Sequence, residues 1–331
     1  MNHDIKFMIL SLFFIAQACS SNNQTLELTP AVPTSTATIK PHHTLELTPA
    51  VPTSTATSKP HHIESGRFEF EDLEREYLLF IPESYSESEE YPLVIYLHSR
   101  GFTAEHNMDR TQLNLVADRN DFLVVYPRAI NLVWNSGNGD RIGRSTPDVN
   151  DVGFIDALID ILSTNYSIDP DRIYVAGWSN GGFMAYKLAC QLSHRIAAIA
   201  SVAGVLSDST LAECNPLRPV PILHIHGTTD KWVPIDGCEG WNSVDQTLSY
   251  WVAFNDCSKT ITTKLKDLDT TDYLTVEKTS YFDCTNNSSV IFYKRIGGGH
   301  GWPSAVHGLV ASEEVWNFFK DYRLTPKSTE N

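Results

Sequence analysis

From residue 75 onward the chain alternates short, almost wholly apolar runs with stretches whose apolar residues recur every three or four positions. The runs at 75–81, 92–97, 122–126, 172–176, 197–202, 220–226 and 290–295 read as strands. Strands that lack polar alternation are buried on both faces, which points to a mostly parallel sheet with helices packed on each side. Between 148 and 166 the positions Val152, Ile155, Ile159 and Leu162 form one helical face. Further helices are predicted over 182–192, 244–254 and 312–319, and Asp169-Pro170-Asp171 is read as a turn. The class is therefore α/β.

Composition fits a large packed core. Hydrophobic residues make up 42% of 331, with 15 Phe, 13 Tyr and 7 Trp, which excludes a generally disordered chain. The net charge of −15 argues against nucleic acid and anionic membrane surfaces as partners, because both require a basic face. That charge is unevenly placed. In residues 1–63, Lys6, Lys40 and Lys59 balance Asp4, Glu27 and Glu46, so the whole excess lies in 64–331.

The first 63 residues read as two segments. An apolar run at 7–16 follows Lys6 and ends in Ala16-Gln17-Ala18-Cys19, the pattern of an export signal over 1–19 that is too short to span a bilayer. Cys19 after Ala18 resembles a bacterial lipobox, although Ala16 stands where Leu is usual. Lipidation of Cys19 is the expectation, with simple cleavage after Ala18 as the alternative. Residues 25–43 and 44–62 are two copies of one 19-residue unit that differ only at Ile39 and Ser58. Prolines at 30, 33, 41, 49, 52 and 60 break helices and ladders, so 20–63 is read as an extended, disordered spacer rather than a solenoid. The pairs His42-His43 and His61-His62 are read as solvated linker residues, with no fixed-spacing Cys or carboxylate to complete a metal site. Residues 64–331 form one domain.

The chemistry is carried by Gly177-Trp178-Ser179-Asn180-Gly181, a G-x-S-x-G pattern placed directly after a predicted strand and before a predicted helix. Flanking glycines allow a turn tight enough to present the Ser179 hydroxyl above the sheet, at a helix N-terminus that favours a developing oxyanion. The plainer reading is a helix-capping serine. A serine nucleophile needs a base, and the base an orienting carboxylate, in the chain order Ser, acid, His. Asp230 follows the strand ending in His226-Gly227, and His300 follows Gly297-Gly298-Gly299 after the last predicted strand. Both sit where open α/β sheets place their sites. Asp236 and His307 are the nearest rivals, but neither directly follows a strand. His224 and His226 face the same side of one strand; they are read as core histidines, with a metal site as the alternative. The oxyanion hole is expected to combine the Asn180 amide with one from the loop His98-Ser99-Arg100-Gly101-Phe102.

Together, YPLVIYLHSRG, FLVVYPRA, DVNDVGFIDALI, IDPDRIYVAGWSNGGFMAYKLAC, RPVPILHIHGTTDKWVP and GGGHGWP resemble the secreted α/β-hydrolase esterases of the feruloyl esterase (carbohydrate esterase family one) and polyhydroxybutyrate depolymerase-like group. The likeness covers about Tyr77 to Pro303. It implies Ser179, Asp230 and His300 as the triad and Arg100 with Asn180 as oxyanion donors. Ser99 stands where that group usually has Gly, which puts the backbone at Arg100 in question.

Six cysteines are present. With Cys19 set aside, pairing Cys190 with Cys214 and Cys257 with Cys284 is preferred among several possible connectivities, each bridge contributing about 3 kcal/mol. Cys238 is then left over. The connection between about 203 and 220 is too short for a large lid, so an open cleft is expected. Phe102, Trp178, Trp232 and Trp302, with Trp134 as a further candidate, are read as an aromatic rim for substrate. The expected protein is a monomeric, exported, cofactor-free and metal-free serine esterase, held to a membrane only by an N-terminal lipid if at all. Its substrate is read as feruloylated plant polysaccharide. Polyhydroxybutyrate or another polyester or acetyl ester is the alternative, and a peptidase and a non-catalytic binding protein are the readings from other classes.

Overall fold

Ten strands join in one sheet in the order β1-β2-β4-β3-β5-β6-β7-β10-β9-β8. The computed structural model describes residues 62–137, 149–266, 273–304 and 309–324. The expected export signal, Cys19, the repeated spacer up to His61, and His307 lie outside the described residues. The strands are β1 (His62–Phe70), β2 (Leu73–Ile81), β3 (Tyr91–Leu97), β4 (Leu123–Pro127), β5 (Ile168–Trp178), β6 (Ala198–Val202), β7 (Ile222–Gly227), β8 (Lys259–Lys264), β9 (Thr275–Phe282) and β10 (Val290–Ile296). From β4 through β10 the six central strands run parallel, and antiparallel strands extend both edges.

Alternation along the central strands feeds two cores. Leu93, Ile95, Leu97 and Val175 face α3 (Asp151–Asn165), α4 (Asn180–Gln191) and α6 (Val244–Phe254), where Phe154, Leu158, Met184, Leu188 and Trp251 pack. Val94, Tyr96, Tyr174 and Ala176 face the opposite way, onto α2 (Leu113–Asn120) and α7 (Ala311–Phe319) through Leu113, Val116, Val315 and Phe319. Every residue of β3 is buried, so each of its aliphatic side chains contributes about 1.5–3 kcal/mol. The remaining helices, α1 (Ala104–Thr111) and the short α5 (Asp208–Ala212), are capped by Thr103 and Ser207.

Three features differ from expectation. The turn expected at Asp169-Pro170-Asp171 lies inside β5 as an irregularity: β3 pairs Tyr91 with Ile168 but Leu93 with Ile173. Asp169 holds that bulge by accepting from the Asp171 amide at 3.0 Å and from Arg172 Nε at 2.6 Å. His62 belongs to β1 rather than to a solvated linker, with Nε2 at 2.5 Å from Glu64. Residues between α6 and β10 form the β8–β9 hairpin, which the sequence reading left unassigned.

The disulfides Cys190–Cys214 and Cys257–Cys284 are formed as the sequence reading paired them. The first ties the C-terminal end of α4 to the β6–β7 connection, whose only helix is α5. The count that left Cys238 spare is corrected, because no cysteine among the described residues is a free thiol.

Candidate active site

Ser179 occupies the turn between β5 and α4 at φ 55° and ψ −118°, a conformation that costs a non-glycine residue about 1–3 kcal/mol. The surroundings over-determine it. Its amide donates to Val202 O at 2.8 Å, and its carbonyl accepts from Phe183 N at 3.0 Å to start the helix. A capping serine has extended backbone and bonds its hydroxyl to the first turn. Ser179 does neither, so its hydroxyl is not consumed by α4. A Cβ at Gly181 would stand 2.1 Å from Leu97 O, so the helix start can press against the end of β3 only with glycine there.

The loops after β7 and β10 are laced together. Thr229 donates from its amide and its hydroxyl to Gly298 O, both at 2.9 Å, and Gly297 N donates to Thr228 Oγ1 at 2.9 Å. A Cβ at Gly227 would meet Gly298 O at 2.2 Å, which explains the glycines on both loops. This lacing brings His300 Nδ1 to 2.7 Å from Asp230 Oδ2. Asp230 Oδ1 accepts from the amides of Trp232 and Val233, both at 2.9 Å. Burial pushes the Asp230 carboxyl up, but the His300 hydrogen bond, the electrostatic pull of the His300 and His226 rings and the Val233 amide outweigh it and hold it below the ordinary carboxylate value. With Nδ1–H donated to that carboxylate, Nε2 of neutral His300 carries the lone pair. The exposed rival Asp236 makes no such contact.

The loop after β3 is braced by His98 and Trp134, and the Asn180 side chain ties Trp134 to α4. His98 Nε2 accepts from Ala129 N at 3.0 Å, its Nδ1 donates to Ser99 O at 2.9 Å, and Trp134 Nε1 donates to His98 O at 3.0 Å. The Asn180 side chain accepts from Trp134 N at 2.7 Å and donates to Ser136 Oγ at 2.9 Å, fixing the residue that opens α4. Ser99 has no positive φ, so serine replaces glycine there without backbone strain. Gly101 N donates to Leu132 O in the segment after β4, and Phe102 N donates to Ser99 O within the loop.

The aromatic candidates separate into two groups. Phe102 stacks on Trp178 with centroids 6.1 Å apart, and the Trp178 ring lies 5.9 Å from that of His300. His106 stacks on the other side of Phe102 at 4.5 Å, and the Arg110 guanidinium sits 5.9 Å over Trp178. Half-buried Trp232 adjoins Asp230. Trp302 is corrected from rim to core: it is 5% exposed, packs edge-on to Tyr96, and gives its indole N–H to Ser312. Trp134, 1% exposed, is likewise interior. An open depression lined by Gly66, Tyr77, Glu105 and Arg128 contains none of these residues, so chemistry rather than concavity marks the site.

Burial holds three histidines neutral: His98, pushed down to about 4, His224 and His226. Their unfolded value is about 6.5, so on acidification the unfolded chain takes up protons first. Their contribution is complete above that value and is lost as pH falls towards 4, with His98 alone accounting for about 3 kcal/mol across the window. Urea unfolding should therefore show a clearly lower midpoint at pH 5 than at pH 7. Equal midpoints would contradict the neutral assignment.

A family model described as Phospholipase/Carboxylesterase matches residues 84–263. NocK of Nocardia uniformis subsp. tsuyamanensis, which carries an esterase name, is 37% identical over 146 residues. That match covers 44% of this chain and 42% of NocK, so the chain spans less than half of that relative. Feruloyl esterase C of Emericella nidulans is 29% identical over 252 residues, covering 74% of this chain and 83% of that protein. Among solved structures, the acetyl xylan esterase from Aspergillus awamori superposes with a TM-score of 0.53 at 15% identity, over 74% of this chain and 94% of that one. This last likeness is one of fold.

Proposed function

The chain belongs to the phospholipase/carboxylesterase family, and from that premise we propose that it is a serine carboxylic-ester hydrolase that releases feruloyl-type acyl groups from plant cell-wall polysaccharide. The observation that carries this reading is the His300 Nδ1–Asp230 Oδ2 hydrogen bond of 2.7 Å, with the His300 ring 5.9 Å from that of Trp178, the residue before a serine held in a strained turn that leaves its hydroxyl uncapped. His300 Nε2 takes the Ser179 proton as Oγ attacks the ester carbonyl. The oxyanion is received by the Asn180 amide at the N-terminus of α4 and the Arg100 amide of the loop after β3. Collapse expels the alcohol, which takes the proton back from His300. Water then enters by the same base catalysis and frees the acid and Ser179. None of these steps calls on a metal or an organic cofactor.

Half-buried Phe102, stacked on Trp178 next to the tilted His300 ring, supports an aromatic acyl group, because a flat π-system gains from aromatic contact at the mouth of the site. The name of the Emericella nidulans relative agrees with it. Two disulfides suit an oxidising compartment and so support export. The enzyme assayed side by side on methyl ferulate, acetylated xylan and hydroxybutyrate oligomers should prefer the ferulate by about tenfold or more in kcat/KM. Cleavage of the hydroxybutyrate oligomers or the acetylated xylan alone would overturn the feruloyl assignment.

A further inference from the structure

Behind the Asp230–His300 pair runs a second row of polar side chains with almost no access to solvent. Tyr186 on α4 and His224 on β7 are 0% exposed, and His226 is 1% exposed. Tyr186 Oη lies 2.7 Å from His224 Nδ1, His224 Nε2 lies 3.1 Å from His226 Nδ1, and His226 Nε2 lies 2.8 Å from Val233 O and 3.5 Å from Asp230 Oδ2. All four ring nitrogens are thus engaged.

Proton accounting gives the row one direction. Val233 O only accepts, so His226 Nε2 carries the hydrogen. A neutral imidazole has one such hydrogen, which makes His226 Nδ1 an acceptor and His224 Nε2 the donor to it. His224 Nδ1 is then an acceptor in turn, served by the Tyr186 hydroxyl. Burial keeps all three groups uncharged, holding both imidazoles down and the phenol up. Every N–H and O–H therefore points from α4 towards the turn that carries Asp230, and in a low-dielectric interior such aligned bonds reinforce one another.

We propose that Tyr186, His224 and His226 are positioning residues that anchor the Asp230–Val233 turn and set how strongly Asp230 draws the proton of His300. The inference rests on the triad reading. Val233 links the two: its carbonyl accepts from His226 while its amide donates to Asp230 Oδ1 at 2.9 Å. The His226 N–H also faces Asp230 Oδ2, the oxygen that receives His300. Other charged or titratable groups around His226 are His300 on its loop, and Arg295 and Lys294 on β10. Arg295 is buried and its Nη1 donates to Gly299 O at 3.3 Å, while Lys294 is the register partner of His226.

Removing the His226 N–H leaves Asp230 with one fewer partial positive charge opposite it, so the carboxylate holds a protonated His300 more strongly. His226→Phe, which fills the same space, should lower kcat by about tenfold because the Asp230–Val233 turn loses its anchor, leave KM within about twofold, and move the acid limb of the kcat pH profile upward. His226→Gln keeps a donor within reach of Val233 O and should recover part of kcat. Tyr186→Phe deletes one hydroxyl and should show a smaller shift of the same sign, which keeps the test open if His226→Phe does not fold. Folded His226→Phe or Tyr186→Phe enzyme with unchanged kcat and pH profile would overturn the proposal, as would a loss of kcat that Gln fails to relieve. Asp230→Asn, measured in parallel, separates the two claims. Full activity there would overturn the triad reading, whereas an inactive Asp230→Asn beside unaffected His226 and Tyr186 variants would overturn only the relay.

Discussion

Ser179→Ala is expected to lower kcat/KM on ester substrates by about 10⁴-fold or more while leaving thermal stability within about 0.5 kcal/mol. Both halves follow from the turn between β5 and α4. The hydroxyl makes no capping bond to α4, so its removal costs the fold almost nothing, and the unusual backbone at φ 55° is held by the Val202 and Phe183 main-chain bonds that alanine retains. What disappears is the atom proposed to form the acyl-enzyme. The proposed oxyanion amides survive, so a small residual rate above uncatalysed hydrolysis should persist. Turnover near the wild-type level in folded Ser179→Ala would place the nucleophile elsewhere.

The largest expected effect on stability comes from Gly181→Ala. A methyl at that position would stand 2.1 Å from Leu97 O, 2.7 Å from Leu97 C and 2.9 Å from His98 O. All three atoms are backbone, and Leu97 sits at the end of a strand with every residue buried, so no flexible side chain can yield. Either α4 moves away from β3 or the loop carrying Ser99 and Arg100 shifts, and both would move the proposed oxyanion amides relative to Ser179. We expect a loss of about 3 kcal/mol or more, a fall in melting temperature of about 6–12 °C, and a deep loss of activity in whatever folds. Wild-type melting and activity would show that α4 and β3 are not in the close contact described.

The parts of the fold that were legible before the structure share one physical property. Strands β3, β4, β6 and β7 are buried along their whole length, so they appear in the sequence as unbroken apolar runs. Edge strands give no such signal. In β1 half-buried residues alternate with exposed ones, and all six residues of β8 are exposed, so Lys259–Lys264 reads as a polar loop until β9 is seen beside it. The prolines and aspartates of a bulge look like those of a turn, which is why the irregularity in β5 was read as a break. Ser179, Asp230 and His300 can be proposed from sequence because each follows the C-terminal end of a strand rich in buried residues. Trp302 misled for the converse reason: standing two residues from His300 says nothing of direction, and its indole turns inward to Ser312. Contacts made across long sequence distance, such as Asn180 to Trp134 and Tyr186 to His224, leave no local trace. The histidine pair on β7 was visible as two residues on one face, but the direction of its hydrogen bonds depends on a tyrosine 38 residues earlier, on another element.

Peptide-level mass spectrometry after rapid acid quench of the enzyme with an activated feruloyl ester tests the central claim most directly, because the acyl-enzyme is the one species that joins the nucleophile to the substrate class. One feruloyl group per chain is expected, on the peptide that contains Ser179 and absent from Ser179→Ala. Turnover of the same ester with the acyl group on a different peptide, or an adduct that persists in Ser179→Ala, would contradict it.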